Sequence, residues 1–230
     1  MLEENDNYLE YAKTHKNEFI SDIITGKSVS SDRTAVFMAG SPGSGKSEIA
    51  SSISSMYPDY VVIDADYFRS KFPDYNGQNS SQFQKASSWL VEQAFLYMVA
   101  HGYSFILDAT FALISSNSNI KRVIKKDYKP IIFYVYQESL VAWDFTKRRE
   151  KVEGRVVPKK TFINAFFKSK ENIKKAKSKF PEVELNIVLK DFDNNIADVH
   201  FDADNVELIV SDKYTHKELE DKINDWTRKS

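Results

Sequence analysis

The segment Gly40-Ser41-Pro42-Gly43-Ser44-Gly45-Lys46-Ser47 matches the pattern G-x-x-x-x-G-K-[ST]. Positions without a Cβ let backbone N–H groups close on the phosphates of a nucleotide, and a helix starting there adds its positive end. In such a loop Lys46 reaches the β- and γ-phosphates and the Ser47 hydroxyl ligates Mg²⁺. The cluster stands out because the chain of 230 residues has only seven glycines, three of them within six positions. These residues predict a nucleoside-triphosphate site.

Other residues narrow the chemistry. No guanine-reading Asn-Lys-x-Asp is present, and Asp74-Tyr75-Asn76-Gly77 has D-x-x-G spacing without an apolar strand before it, so a GTPase is disfavoured. The chain is short for a motor ATPase. A small kinase remains, and it needs a base at the acceptor, a positive cap over the transferring group and an acceptor pocket. In Ile63-Asp64-Ala65-Asp66-Tyr67-Phe68 two carboxylates end an apolar run, at the edge where open α/β sheets bind ligands. One could hold metal through water while the other accepts a proton. Asp64 could equally cap the next helix, which leaves Asp66 the stronger candidate for the base. Asp108 closes a second such run and could polarise Mg²⁺-bound water or simply bond strand-end amides; Thr110 follows it as a substrate contact. Guanidinium spans two phosphate oxygens where lysine offers a point charge. The candidates for the cap are Arg148, Arg149 and Arg155, in a stretch that reads as helix end, Gly154 loop and Pro158-initiated helix, the form of a movable lid.

The elements that must hold these groups follow from the apolar pattern. Non-alternating runs at 34–39, 60–64, 103–108 and 131–136 predict buried strands, and helical spacing predicts helices over 7–24, 46–56, 80–101, 119–126, 139–152 and 159–179. Such alternation implies a parallel sheet covered on both faces. Beyond Pro181 the runs 185–190, 196–201 and 206–210 predict strands, with a turn at Asp193-Asn194-Asn195. A last helix over 215–226 opens with the capping box Thr215…Glu218. The expected fold is therefore an α/β P-loop NTPase three-layer sandwich, mainly parallel, with a helical lid and a small strand-rich C-terminal extension. We read 1–230 as a single domain, with its core at 34–180 and the extension at 181–230.

Composition removes several classes. With no cysteine there is no disulfide framework, iron–sulfur cluster or cysteine nucleophile. The acidic start lacks a signal-peptide pattern and no run reaches the length of a membrane span, so a cytoplasmic protein without membrane contact is expected. The net charge of −1 conceals a block at 141–180 carrying +9, flanked by acidic segments. That block could meet phosphates or form a solvated Lys-rich helix; the acidic remainder disfavours nucleic acid.

The ordered set Gly40–Ser47, Ile63–Phe68, Glu92, Leu107-Asp108-Ala109-Thr110, Arg148/Arg149 and Arg155-x-x-Pro158 resembles the zeta toxin family of kinases, over about residues 34–175. The resemblance implies ATP-dependent phosphorylation of a UDP-activated amino sugar such as UDP-N-acetylglucosamine, and a separately encoded antitoxin as partner. It implies Asp66 as general base, Lys46 and Ser47 on ATP–Mg²⁺, Arg149 or Arg148 with Arg155 on the phosphoryl group, and Glu92 and Thr110 on the acceptor. Asp64 and Asp108 complete the candidate substrate-side set. Two departures are visible: Phe111-Ala112 stand where family members carry Gly-Arg, and the acidic tail lies outside the match. The alternatives are a kinase for another acceptor (nucleoside, antibiotic or nucleic-acid 5′ end) and a non-catalytic NTP-binding switch.

Overall fold

The computed structural model describes residues 2–211 and 213–229. Its elements are α1 (Leu2–Thr14), α2 (Lys16–Ile24), β1 (Thr34–Ala39), α3 (Lys46–Met56), β2 (Val61–Asp64), α4 (Ala65–Ser70), α5 (Gln84–His101), β3 (Phe105–Asp108), α6 (Ser116–Ile124), β4 (Lys129–Tyr136), α7 (Ser139–Glu153), α8 (Lys159–Lys179), β5 (Glu184–Lys190), β6 (Ile196–His200), α9 (Val206–Ile209) and α10 (His216–Lys229). The strands form one sheet in the order β2-β3-β1-β4-β5-β6, parallel up to β5, with β6 antiparallel at the edge.

The period of two along each strand divides the core between the two faces of the sheet. On β1, Ala35, Phe37 and Ala39 enter the large core shared with α2 and α5, while Val36 and Met38 enter the smaller core under Ile49, Ala50 and Ile53 of α3. Both faces being covered, β1 is apolar at nearly every position and its alternation vanishes from the sequence. A third cluster joins Trp143 of α7, Phe162 of α8 and Leu219 and Ile223 of α10.

Three segments depart from expectation. The N-terminal helix is two helices, broken at His15, whose ring Nδ1 lies 2.9 Å from the Tyr11 carbonyl oxygen. The run at 185–190 is the fifth parallel strand, paired to β4, so sheet building continues past the expected core boundary. The run at 206–210 is a helical turn, not a strand. Alternation would bury Leu208 with Val206 and Val210, yet Leu208 is exposed while the other two, four apart, are buried. The Asn205 side chain caps that turn by accepting from Glu207 N at 2.8 Å. The capping box of α10 forms as expected, with Thr215 N donating to Glu218 Oε2 at 2.8 Å.

Every parallel strand delivers its carboxyl end to one edge, where the Gly40–Ser47 loop joins β1 to α3. The loop is wedged between neighbours: a Cβ on Gly40 would lie 2.3 Å from the Val135 carbonyl oxygen, and one on Gly43 2.1 Å from that of Ala142 in α7. Gly43 also has φ +74°, in the left-handed region. Gly43→Ala should therefore destabilise the protein by about 2 kcal/mol or more, since both the backbone and α7 must shift. Denaturant unfolding compared with the exposed-helix control Ser51→Ala would measure this.

Candidate active site

The glycine-rich loop is closed by its own backbone. Gly40 N donates to the Thr110 carbonyl oxygen at 3.2 Å, and Ser44 N to that of Ser41 at 3.3 Å. Lys46 is buried, with Nζ donating to the Ser41 carbonyl oxygen at 2.6 Å. Burial pushes the lysine down to about 8; the positive charges of Arg149 and Arg155 push the same way, while Asp108 opposes them. The Ser47 hydroxyl donates to Asp108 Oδ2 at 2.7 Å. Ser44 Oγ is buried beside them with no hydrogen-bond partner.

This donor set fits a nucleotide and Mg²⁺. A hydroxyl and a carboxylate in contact are hard oxygen donors of the kind Mg²⁺ accepts, and that ion draws its other ligands from phosphate and water. Among the described residues no cluster of three or more acidic, His or Cys side chains could hold a metal alone. Phosphate oxygens would give the orphaned Ser44 hydroxyl a partner and would offer the buried Lys46 ammonium a charged acceptor in place of the Ser41 carbonyl.

Asp64 and Asp108 are direct partners in the β2–β3 register, which sets the two carboxylates side by side. Asp64 acts as N-cap of α4, its side chain accepting from Asp66 N at 2.9 Å and Tyr67 N at 3.3 Å. Burial raises Asp64 to about 6, with the charges of Asp66 and Asp108 adding to the effect. Asp66 follows in the first turn of α4 and is the hub of the site. Its Oδ1 pairs with Arg69 Nη1, its Oδ2 pairs with Arg155 Nη1, and Arg149 Nη2 stands 3.6 Å from Oδ2. Arg149 is braced by Glu153, which its Nε meets at 2.9 and 3.0 Å.

The lid is seated on the cleft. Gly154 ends α7 in a left-handed conformation, and residues 154–158 lead into α8. A Cβ on Gly77 would lie 2.3 Å from the Glu153 carbonyl oxygen, so the lid tip rests directly on the Asn76–Asn79 turn. Across the cleft, the loop after β3 is pinned to α8: Ser169 Oγ donates to the Thr110 carbonyl oxygen at 2.6 Å, and Asn172 Nδ2 to that of Phe111 at 2.9 Å. Phe111 is buried against Phe37 and holds φ +58°.

Of the sequence candidates, Lys46, Ser47, Asp108, Asp64, Asp66, Arg149 and Arg155 converge with the loop Gly40–Ser47. Arg148 does not: it is 70% exposed and pairs with Asp144 at 2.7 Å. It borders instead a cleft of about 470 Å³ between α7 and the β5–β6 turn, together with Phe145, Phe192 and Trp226. Glu92 is exposed on α5, two turns beyond Gln84 on a similar face of the helix. Thr110 contributes its carbonyl to the loop, and its hydroxyl accepts a long contact of 3.4 Å from Ala112 N. The sequence reading missed Arg69, which is buried and joins Asp66 to Gln84. The signal was its place three residues after Asp66, one helical turn on.

A phosphate loop at the carboxyl edge of a 2-3-1-4-5 parallel sheet, facing a lid that carries arginines, defines a P-loop protein of kinase type. The zeta toxin family model matches residues 20–206, and the chain belongs to that family. Among solved structures, the chain is similar to one from the PezAT chromosomal toxin–antitoxin system of Streptococcus pneumoniae, with a TM-score of 0.67 at 16% identity over 93% of this chain and 95% of that one. It is also similar to AvrRxo1-ORF1:AvrRxo1-ORF2 complexes. The native complex has a TM-score of 0.61 at 13% identity over 89% of this chain and 70% of that one. The ATP complex has 0.59 at 14% over 90% and 70%. At these identities the likeness establishes the fold. No curated protein matches the sequence.

Asp64 makes stability depend on pH with a definite sign. A carboxyl raised by folding binds its proton more tightly in the native state, so its ionisation weakens the fold above pH of about 6 and not below its unfolded value. Asp64→Asn keeps a capping side chain without the charge. Its melting temperature should equal or exceed that of the parent at pH 8, and the difference should vanish by pH of about 4, as thermal unfolding across pH would show.

Proposed function

We propose that the protein is a kinase that transfers the γ-phosphoryl group of ATP to a hydroxyl of a small-molecule acceptor, with a UDP-activated amino sugar of the UDP-N-acetylglucosamine type as the first candidate. The observation that carries this reading is Asp66, a carboxylate just past the carboxyl end of β2 in contact with the lid arginine Arg155, whose charge in turn acts on Lys46 in the glycine-rich loop. A base and a phosphoryl clamp in direct contact are the two parts that a switch protein does not need.

In this reading the acceptor hydroxyl gives its proton to Asp66 as its oxygen bonds to the γ-phosphorus. The bond from that phosphorus to the β–γ bridging oxygen breaks, and ADP leaves with the electron pair. Arg155 and Arg149 exchange Asp66 for the transferring phosphoryl and neutralise its charge. Lys46 exchanges the Ser41 carbonyl for phosphate oxygens. Ser47 and Asp108 would hold Mg²⁺, which supplies further charge neutralisation when bound. Arg148 and Phe192, at the border of the cleft beside α7, would face the nucleoside of ATP, a different role from the one first expected of Arg148. Glu92 and Thr110 remain the candidates for the acceptor side.

The choice of sugar rests on family membership. One feature favours a second reading, a different acceptor: Phe111 keeps the left-handed backbone that glycine would adopt, but Ala112 offers no charge to an acceptor phosphate. A separately encoded antitoxin is proposed by analogy with the toxin–antitoxin system named for the pneumococcal structure.

Asp66→Asn should lower transfer by about 10²–10⁴-fold while ATP affinity stays within about threefold. Labelled ATP offered with nucleotide sugars, nucleosides and oligonucleotides measures it and identifies the acceptor; no acceptor above background would favour the switch. Lys46 gives a second outcome. Its amine loses its proton near pH 8 in the free site and regains it beside phosphate, so ATP binding should take up a proton and weaken about tenfold per pH unit above 8. Calorimetry in buffers of different ionisation enthalpy would detect the uptake, and Lys46→Met should abolish it.

A further inference from the structure

We infer that Arg69 is a positioning residue for phosphoryl transfer, acting with Gln84 to fix which oxygen of Asp66 faces the reacting group; this rests on the reading of Asp66 as the base. The two oxygens of Asp66 have different partners. Arg69, from the same short helix, holds Oδ1; Arg155 and Arg149, from the lid, approach Oδ2. The partners differ in freedom as well. Arg69 is 2% exposed and anchored at its far end, where Nη2 donates to Gln84 Oε1 at 2.7 Å and Gln84 Nε2 in turn donates to Ser88 Oγ at 2.9 Å. Arg155 is 31% exposed, lies 89 residues away in the chain and belongs to the loop between α7 and α8.

The terminal torsion of an aspartate is broad, so nothing in Asp66 itself selects one oxygen over the other. A guanidinium fork locked between Asp66 and Gln84 removes that freedom. When the lid arginines leave Oδ2 for phosphate, Oδ1 stays tethered and Oδ2 is left free for the acceptor hydroxyl. The energetics also point to function. A nearly dry arginine is costly, its Nε has no partner, and burial pushes the guanidinium down from its ordinary range. An ion pair whose arginine is buried while its carboxylate is partly exposed is poor support for a fold when an apolar side chain could fill the arginine's space.

The test uses the full chain and single-turnover hydrolysis of labelled ATP, with water as acceptor, so that the result is independent of the natural acceptor. Lysine keeps the charge but cannot reach Asp66 and Gln84 together. Arg69→Lys should therefore slow turnover about 10–100-fold, with ATP affinity within twofold. Gln84→Leu leaves Arg69 in place and removes only its anchor, and should slow turnover severalfold at unchanged ATP affinity. In Arg69→Ala, millimolar guanidinium should restore rate where equal sodium chloride does not. The inference is overturned if Arg69→Lys and Gln84→Leu both turn over at the parent rate, or if rate and ATP affinity fall in parallel, which marks Arg69 as scaffold. Asp66→Asn, run alongside, separates the two readings. Parent-rate hydrolysis by Asp66→Asn removes the base itself, whereas a slow Asp66→Asn beside a fast Arg69→Lys removes only the positioning role.

Discussion

The contact between Asp66 and Arg155 ties a lid to a sheet edge across 89 residues of chain. Each side depends on the other. The carboxylate sits where it does because β2 ends at Asp64, which caps α4 and so aims the first turn of that helix across the cleft. The arginine arrives because α7 ends in a left-handed glycine whose neighbours rest on the Asn76–Asn79 turn. Asp66 on one wall pairs across the cleft with Arg155 and, at 3.6 Å, Arg149 on the other, and these cations would prefer the greater charge of a triphosphate.

The loop that would cradle phosphate is under the opposite constraint, one of space. Val135 and Ala142 present carbonyl oxygens where side chains on Gly40 and Gly43 would be. This close approach couples the loop to β4 and α7, so the helix that carries Arg149 is referenced directly to the phosphate site. On the far side, Ser169 and Asn172 of α8 hold the carbonyls that follow β3, and the Thr110 carbonyl also receives Gly40 N. The lid helices therefore grip both the donor loop and the acceptor-side loop.

Much of this was legible in the sequence because its signals are local. The G-x-x-x-x-G-K-S run, the apolar strands and the paired carboxylates of Ile63–Phe68 need only neighbouring residues to be recognised. What could not be read depends on distant pairing. The strand order brings Asp64 beside Asp108 through a β2–β3 register that no single segment encodes. The run at 185–190 looked like the start of an appendage, although β4 recruits it into the parallel sheet. Arg148 and Arg149 are adjacent and chemically alike; only the helical turn of about 100° between them sends one to Asp66 and the other to Asp144. Arg69 was overlooked because a lone arginine on a six-residue helix carries no motif until Gln84 is placed beside it.

The reversal of direction at β6 has a mechanical result. Once the chain turns back along β5, its last helix can cross behind α7 and α8, where Leu219 and Ile223 pack on Trp143 and Phe162. The lid is thus a cantilever: its root is clamped by the C-terminal helix, while its tip carries the solvent-facing Val152 and Val156 on either side of Gly154. Stiffness at the root concentrates bending into the five residues from Gly154 to Pro158, so opening would swing Arg155 through a larger arc than Arg149.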